Sequence, residues 1–171
     1  MKKSSYFALY ICFLALQILI CNYLNVGFLL TLCILPVIVL LIPIRFSTIT
    51  AMIIAFVSGL LVDMLGDGLL GLNALAIVPV ALSRNGLLRF IFGREVFVHK
   101  EDVTIKKYGI VKFTTFIAIA QALFLLIYIT ADGAGTRQFW FNASRFGISL
   151  VAGTLLSLLI AQALTKDYRE R

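Results

Sequence analysis

The sequence predicts an all-α integral membrane protein with about six transmembrane helices, and three observations support this fold class. Of the 171 residues, 61% are hydrophobic and 13% are charged, whereas soluble domains average about 45–50% apolar and about 25% charged residues. Apolar runs of about 20 residues, long enough to cross a bilayer as helices, recur along the whole chain. Most of the basic residues lie between these runs, as in membrane proteins with a fixed orientation.

Six apolar segments are predicted as spans, and they leave no stretch for a separate soluble core, so residues 1–171 are interpreted as one multi-spanning membrane domain. The first span is expected to be retained, because it exceeds the usual signal-peptide length and no A-x-A-like cleavage site follows it. The fourth is short at 15 residues and is expected to extend, to sit in thinned lipid or to be re-entrant. The predicted spans cover residues 6–24, 26–44, 47–65, 69–83, 109–130 and 143–164.

The placement of basic residues predicts orientation and an even number of spans. With both termini in the cytoplasm, 13 of the 15 Lys and Arg residues lie inside, and only Arg137 and Arg145 lie outside. A five-span arrangement would place either the basic central loop or the basic tail on the wrong face. The net charge of +7 is therefore interpreted as a topology signal and not as a nucleic-acid-binding surface.

The long basic loop, residues 84–108, mixes Lys and Arg with aromatic and aliphatic residues. This composition predicts a cytoplasmic segment that lies at the membrane interface. Its basic side chains would bind anionic headgroups of membrane lipids, and docking of a cytoplasmic partner is the alternative.

The turn between the third and fourth spans contains a candidate structural or partner motif. Gly66 and Gly68 permit a sharp chain reversal, and Asp67 would favour the N-terminus of the fourth helix. Gly71 removes a side chain where two helix backbones could approach. These residues predict a tight helical hairpin at the outer surface.

Asp63 is the only acidic residue inside a predicted span. A carboxylate at this depth has to face protein, and Asn73 or free amides of the turn are its expected partners. We therefore interpret Asp63 as a residue that stabilises the turn, in preference to one that moves protons or binds metal. On this interpretation, Asp63→Asn would lower the stability of the folded protein by about 1 kcal/mol, the typical contribution of one transmembrane hydrogen bond.

Two rows of small residues, each spaced four apart, predict packing faces on the third and sixth helices. In lipid, such rows let helix backbones pack closely. We expect packing inside the bundle, with contact to a partner helix as the alternative. The rows are Ala51, Ala55, Gly59 and Asp63 on the third helix, and Ser149, Gly153, Ser157 and Ala161 on the sixth.

No residue pattern predicts catalysis, a cofactor or a metal centre. The single histidine, His99, has no nucleophile or metal-ligand pattern around it. The three cysteines lie in apolar runs without CxxC or Cys/His spacing. The sequence therefore predicts a protein that is not an enzyme.

The stretch from Gly59 to Leu75 resembles the most recognisable segment of the MreD family. The matching positions are Gly59, Asp63, Gly71, Asn73 and Ala74, whereas Gly66-Asp67-Gly68-Leu69 stands where the family often has a Ser-Gly-x-Pro-like turn. The resemblance implies a noncatalytic scaffold of the bacterial cell-elongation complex, which supports cell shape and lateral peptidoglycan synthesis. It also implies a multi-pass protein of the cytoplasmic (inner) membrane, with an MreC-like bitopic partner, and with the MreB filament, RodA and a class B penicillin-binding protein as further partners.

The MreD family is in turn distantly similar to the S components of energy-coupling-factor vitamin transporters. This similarity implies an S-component-like bundle of six helices, and it supplies an alternative function, binding of a vitamin for transport. S components typically dock through an Ala-xxx-Ala pair on the first helix, whereas the first span here has Ala8 and Ala15. The scaffold function is therefore preferred.

Overall fold

The computed structural model describes most of the chain, and every element in the described part is a helix. The described residues are 3–23, 30–44, 46–67, 69–93, 96, 108–133 and 139–166, without the side chains of 3–9, 67 and 163–166. The helices are α1 (Lys3–Tyr23), α2 (Leu35–Leu40), α3 (Thr48–Val62), α4 (Leu72–Phe92), α5 (Ile110–Asp132) and α6 (Phe139–Lys166), and a π-helical turn (Asp63–Asp67) continues α3.

The predicted all-α class is confirmed, but the count of six spans is not. Four described helices are long and apolar enough to cross a membrane, at Thr48–Gly66, Leu72–Phe92, Ile110–Asp132 and Phe139–Gln162. Helix α1 has 21 residues, and its part with described side chains, Tyr10–Tyr23, is a shorter apolar helix.

The prediction of one continuous second span over residues 26–44 is wrong. Only Leu35–Leu40 is helical within its described part, and residues 30–34 have no helical structure. Prolines explain both ends of this short helix. Pro36 lies in its first turn, where a missing N–H is tolerated. Pro43 lies three residues after Leu40, where it disfavours continuation of the helix. The resulting α2, about 9 Å long, is buried in the bundle.

Of the three alternatives for the short fourth span, the structure shows extension, because α4 continues to Phe92. The predicted boundary between this span at 69–83 and the cytoplasmic loop at 84–108 is therefore wrong. The polar run that begins at Ser83 resembles the start of a loop, but its side chains are satisfied inside the protein. Asn85 donates to the hydroxyl of Thr48 at 2.7 Å. Residues 94–95 and 97–107 of the predicted loop lie outside the described residues.

Arg84 is fully buried within α4, with 1% of its surface exposed. Its Nε donates to the carbonyl of Leu40 at 3.2 Å, and its Nη2 donates to the carbonyl of Ile42. These carbonyls lie at the C-terminal end of α2, where a cation is favoured. Arg84 therefore ties α2 to α4 and is not a loop residue.

The outer surface of the bundle is apolar, as a lipid environment requires. On α6, which packs against α5, one exposed face carries Ile148, Val151, Leu155 and Leu159. Trp140 at the start of α6 and Phe90 near the end of α4 are 79% and 85% exposed. The two aromatic side chains lie at opposite ends of the bundle, the positions that membrane interfaces favour.

Candidate functional site

The carboxylate of Asp63 is the centre of the hairpin between α3 and α4. Its side chain is 0% exposed. Oδ1 accepts from the backbone N–H and the side-chain amide of Asn73 at 2.9 and 3.0 Å, and Oδ2 accepts from the backbone N–H groups of Gly71 and Ala74 at 3.0 and 3.2 Å. The N–H groups that begin a helix have no partner within it, and the helix dipole favours an anion there. Asp63 therefore caps α4 from the preceding helix.

The π-helical turn sets the position of Asp63, which is its first residue. The far side of this turn rests on α1: Asn22 donates to the carbonyl of Leu65 at 2.9 Å. A Cβ atom added at Gly66 would lie 2.8 Å from the Cβ of Cys21. Gly66 therefore allows α1 to pack directly against the turn.

Gly59 provides the close contact of the hairpin. A Cβ atom placed there would lie 2.6 Å from the Cα and 2.8 Å from the backbone nitrogen of Ala74. Because the obstacle is backbone, a side chain at position 59 would have to move α4. The α3 backbone therefore packs directly against the first turn of α4, the helix end that Asp63 caps.

The expectation that Gly71 allows two backbones to approach is wrong. A Cβ atom at Gly71 would meet nothing within 4 Å. Gly71 instead has a φ of 94° at the N-cap of α4, a left-handed conformation that residues with a Cβ atom adopt at a cost. Glycine is therefore favoured at position 71 by the backbone conformation and not by close packing.

The remaining residues of the predicted motif are only partly described. The side chain of Asp67 and all of Gly68 lie outside the described residues, so their roles stay predictions. Both rows of small residues are buried within the described bundle. The buried positions are Ala51, Ala55, Gly59 and Asp63 in one row, and Ser149, Gly153, Ser157 and Ala161 in the other.

A second polar cluster surrounds the non-helical segment 30–34. Gln17 on α1 accepts from the backbone N–H of Ile34 at 2.7 Å and donates to the carbonyl of Leu32 at 3.5 Å. Gln121 on α5 donates to the carbonyl of Cys33 at 3.0 Å. Backbone groups outside a helix have to be satisfied by protein when they lie in a bilayer, and here buried glutamines supply those bonds.

Arg145 and Asp132 form a largely buried ion pair at the junction of α5 and α6. The Nε of Arg145 also donates to the hydroxyl of Thr31 at 3.0 Å, and Ser149 accepts from the backbone N–H of Thr31 at 2.9 Å. The guanidinium carbon lies 5.9 Å from the centroid of the Tyr128 ring. Arg145 and Ser149 therefore attach the segment 30–34 to α6.

Gln17, Gln121 and Arg84 are structural partners that were not predicted from the sequence. An available signal was the isolated glutamine in the middle of each of two predicted apolar spans. Polar side chains at that depth usually face protein and mark a specific contact.

These features define a multi-pass helical membrane protein with a carboxylate-capped hairpin and an interrupted helix in its core. Within the described residues, no group of three or more His, Cys, Asp or Glu side chains could hold a metal ion. Comparisons with protein-family models, curated proteins and solved structures found no significant match.

Proposed function

We propose that this protein is a noncatalytic scaffold of the bacterial cell-elongation complex, located in the cytoplasmic membrane with both termini inside. One observation supports this function over ion or proton transport. Each oxygen of the Asp63 carboxylate accepts two hydrogen bonds from protein groups. A carboxylate bonded in this way holds a turn in shape and has no free position for a transported ion.

The residues that resemble the MreD family are the ones that meet in this hairpin. Gly59, Asp63, Gly71, Asn73 and Ala74 lie at the closest backbone contact or at the capped helix end. On the proposed function, they keep a surface of fixed shape for an MreC-like bitopic protein. Co-purification tests the partner, and recovery of an ATPase and a transmembrane coupling subunit in its place would favour a transporter.

Binding of a vitamin as an S component is the second candidate. The observation that favours it is the non-helical segment 30–34, which is surrounded by the polar side chains of Gln17, Gln121 and Ser149. Transporters use such interruptions of membrane helices to build substrate sites.

Depletion of the protein in its native host is expected to give rounded or widened cells with unchanged vitamin uptake, because a scaffold acts on wall synthesis. Cell width by microscopy and uptake of labelled vitamins are measured on the same culture. Re-expression of the wild-type chain should restore rods. Normal rods with a specific vitamin requirement would reject the scaffold and support the transporter.

The proposed orientation predicts which residues a membrane-impermeant thiol reagent can reach. In a variant with Cys12, Cys21 and Cys33 changed to Ala, Trp140→Cys should be labelled in intact cells, and Lys100→Cys only after permeabilisation. The reason is the excess of basic residues on the predicted cytoplasmic side. Labelling of position 100 in intact cells would contradict this orientation.

A further inference from the structure

The chain between α1 and α3 joins opposite ends of the bundle. Near the end of α1, Asn22 donates to the carbonyl of Leu65, in the turn that follows α3, at 2.9 Å. The start of α3 lies at the other end, where Thr48 accepts a hydrogen bond from Asn85 of α4 at 2.7 Å. The 15 residues of α3 separate the two ends by about 22 Å. The residues between α1 and α3 therefore have to cover that distance.

Helices α5 and α6 fix the depth at which the described part of this connection begins. Phe92 at the end of α4 packs on Phe116 in the first two turns of α5, with ring centroids 5.3 Å apart. Because α4 and α5 also pack along each other, they are antiparallel, and α5 ends on the side of the α3–α4 turn. Thr31 lies on that side, since it accepts from Arg145, which pairs with Asp132 at the end of α5.

The residues that follow Thr31 lie progressively closer to the opposite end. The carbonyl of Cys33 accepts from Gln121, at the midpoint of α5, at 3.0 Å. The carbonyl of Ile42 accepts from Arg84, the neighbour of the Asn85 that bonds to the start of α3. The order of these contacts along the bundle follows the order of the sequence. The segment 30–44 therefore passes through the bundle from one end to the other.

This segment is enclosed by protein. Every residue from 33 to 40 is buried, and α2 packs against α1, α3, α4 and α5. An apolar helix that is buried on every side belongs to a protein core and does not face lipid. Non-helical backbone at the depth of a bilayer is tolerated only where protein surrounds it. Gln17, Gln121 and Arg84 meet that condition, because each bonds to the backbone of this segment.

We propose that residues 30–44 form a complete crossing of the membrane inside the protein, so that the chain crosses the bilayer six times with five lipid-facing helices. The crossing consists of the non-helical segment 30–34, α2 and the residues that follow it. An even number of crossings places both termini on the same side, whichever side that is. This inference is independent of the proposed scaffold function.

Two-sided labelling tests whether the segment crosses the membrane or returns to the side from which it entered. In the variant without native cysteines, Tyr23→Cys and Phe46→Cys place one thiol at each end of the crossing, at positions that are 83% and 39% exposed. A membrane-impermeant thiol reagent is expected to label only one of the two in intact cells, and both after permeabilisation. Labelling of both positions, or of neither, in intact cells would place the two ends on one side and overturn the proposal.

Photolabelling from the lipid tests the enclosure with the unmodified chain. The protein is reconstituted into bilayers that contain a phospholipid with a diazirine in its acyl chain, and mass spectrometry locates the carbene adducts. Residues 148–159 of α6 include exposed apolar side chains and are expected to carry several-fold more label than residues 33–40. Equal labelling of the two stretches would put the segment in contact with lipid and reject the enclosed crossing.

Discussion

Asp63→Leu is expected to lower the free energy of unfolding by about 4 kcal/mol or more, because each buried donor left unpaired costs about 1–3 kcal/mol. The change removes the acceptor of three backbone N–H groups and of the Asn73 amide. Unfolding by SDS in mixed micelles measures the loss. Total membrane yield is a poor substitute, because Leu inserts into a bilayer more readily than Asp and can raise the inserted amount.

Asp63→Asn is expected to lower the free energy of unfolding by about 2 kcal/mol, because two hydrogen bonds are lost at about 1 kcal/mol each. The loss predicted from the sequence was smaller, about 1 kcal/mol, because Asn keeps one acceptor oxygen. The structure shows that both oxygens accept, so an Asn amide has to direct its NH₂ group at two N–H donors in either orientation.

Met64→Leu is the control for both Asp63 variants, because the neighbouring side chain is 62% exposed and the exchange conserves volume. Its free energy of unfolding should match the wild type. A fully folded, partner-bound Asp63→Asn protein without function would contradict the capping role and make the charge itself essential.

Gly59→Ala is expected to lower the free energy of unfolding by about 1–3 kcal/mol, the usual cost of overpacking, and Gly59→Leu by more. The added Cβ atom would lie 2.6 Å from the Cα of Ala74, so α4 has to move away from α3 and from the Asp63 carboxylate. The same SDS titration measures both variants, and co-purification of the proposed MreC-like partner should fall with the folded fraction.

Two other glycines of α4 and its cap separate packing from conformation. Gly86→Ala adds a Cβ atom that meets nothing within 4 Å in a helical position, so stability should be unchanged or slightly higher. Gly71→Ala should lower the free energy of unfolding by about 1–2 kcal/mol, because a residue with a Cβ atom is strained at the left-handed φ of this position. A Gly59→Ala protein as stable as Gly86→Ala would refute the close backbone contact.

The all-α membrane class and the hairpin between the third and fourth helices were predictable from the amino-acid sequence alone. Hydrophobic length and charge placement are local features of the sequence, and a helix that crosses a bilayer needs about 20 mostly apolar residues with basic residues placed outside them. The sequence also indicated Asp63 with Asn73 as partner, since a carboxylate at that depth needs donors and the nearest lie just across the turn.

The ends of the second and fourth helices depend on contacts that form only in the folded bundle. Arg84 is tolerated inside α4 because it bonds to a carbonyl 44 residues away, and the segment 30–34 is tolerated without helical bonds because Gln121 donates from 88 residues away. Hydropathy sums over neighbouring residues and does not include distant partners. A polar side chain in a bilayer core is costly without a hydrogen-bond partner and acceptable with one. Whether it has a partner depends on how the helices pack.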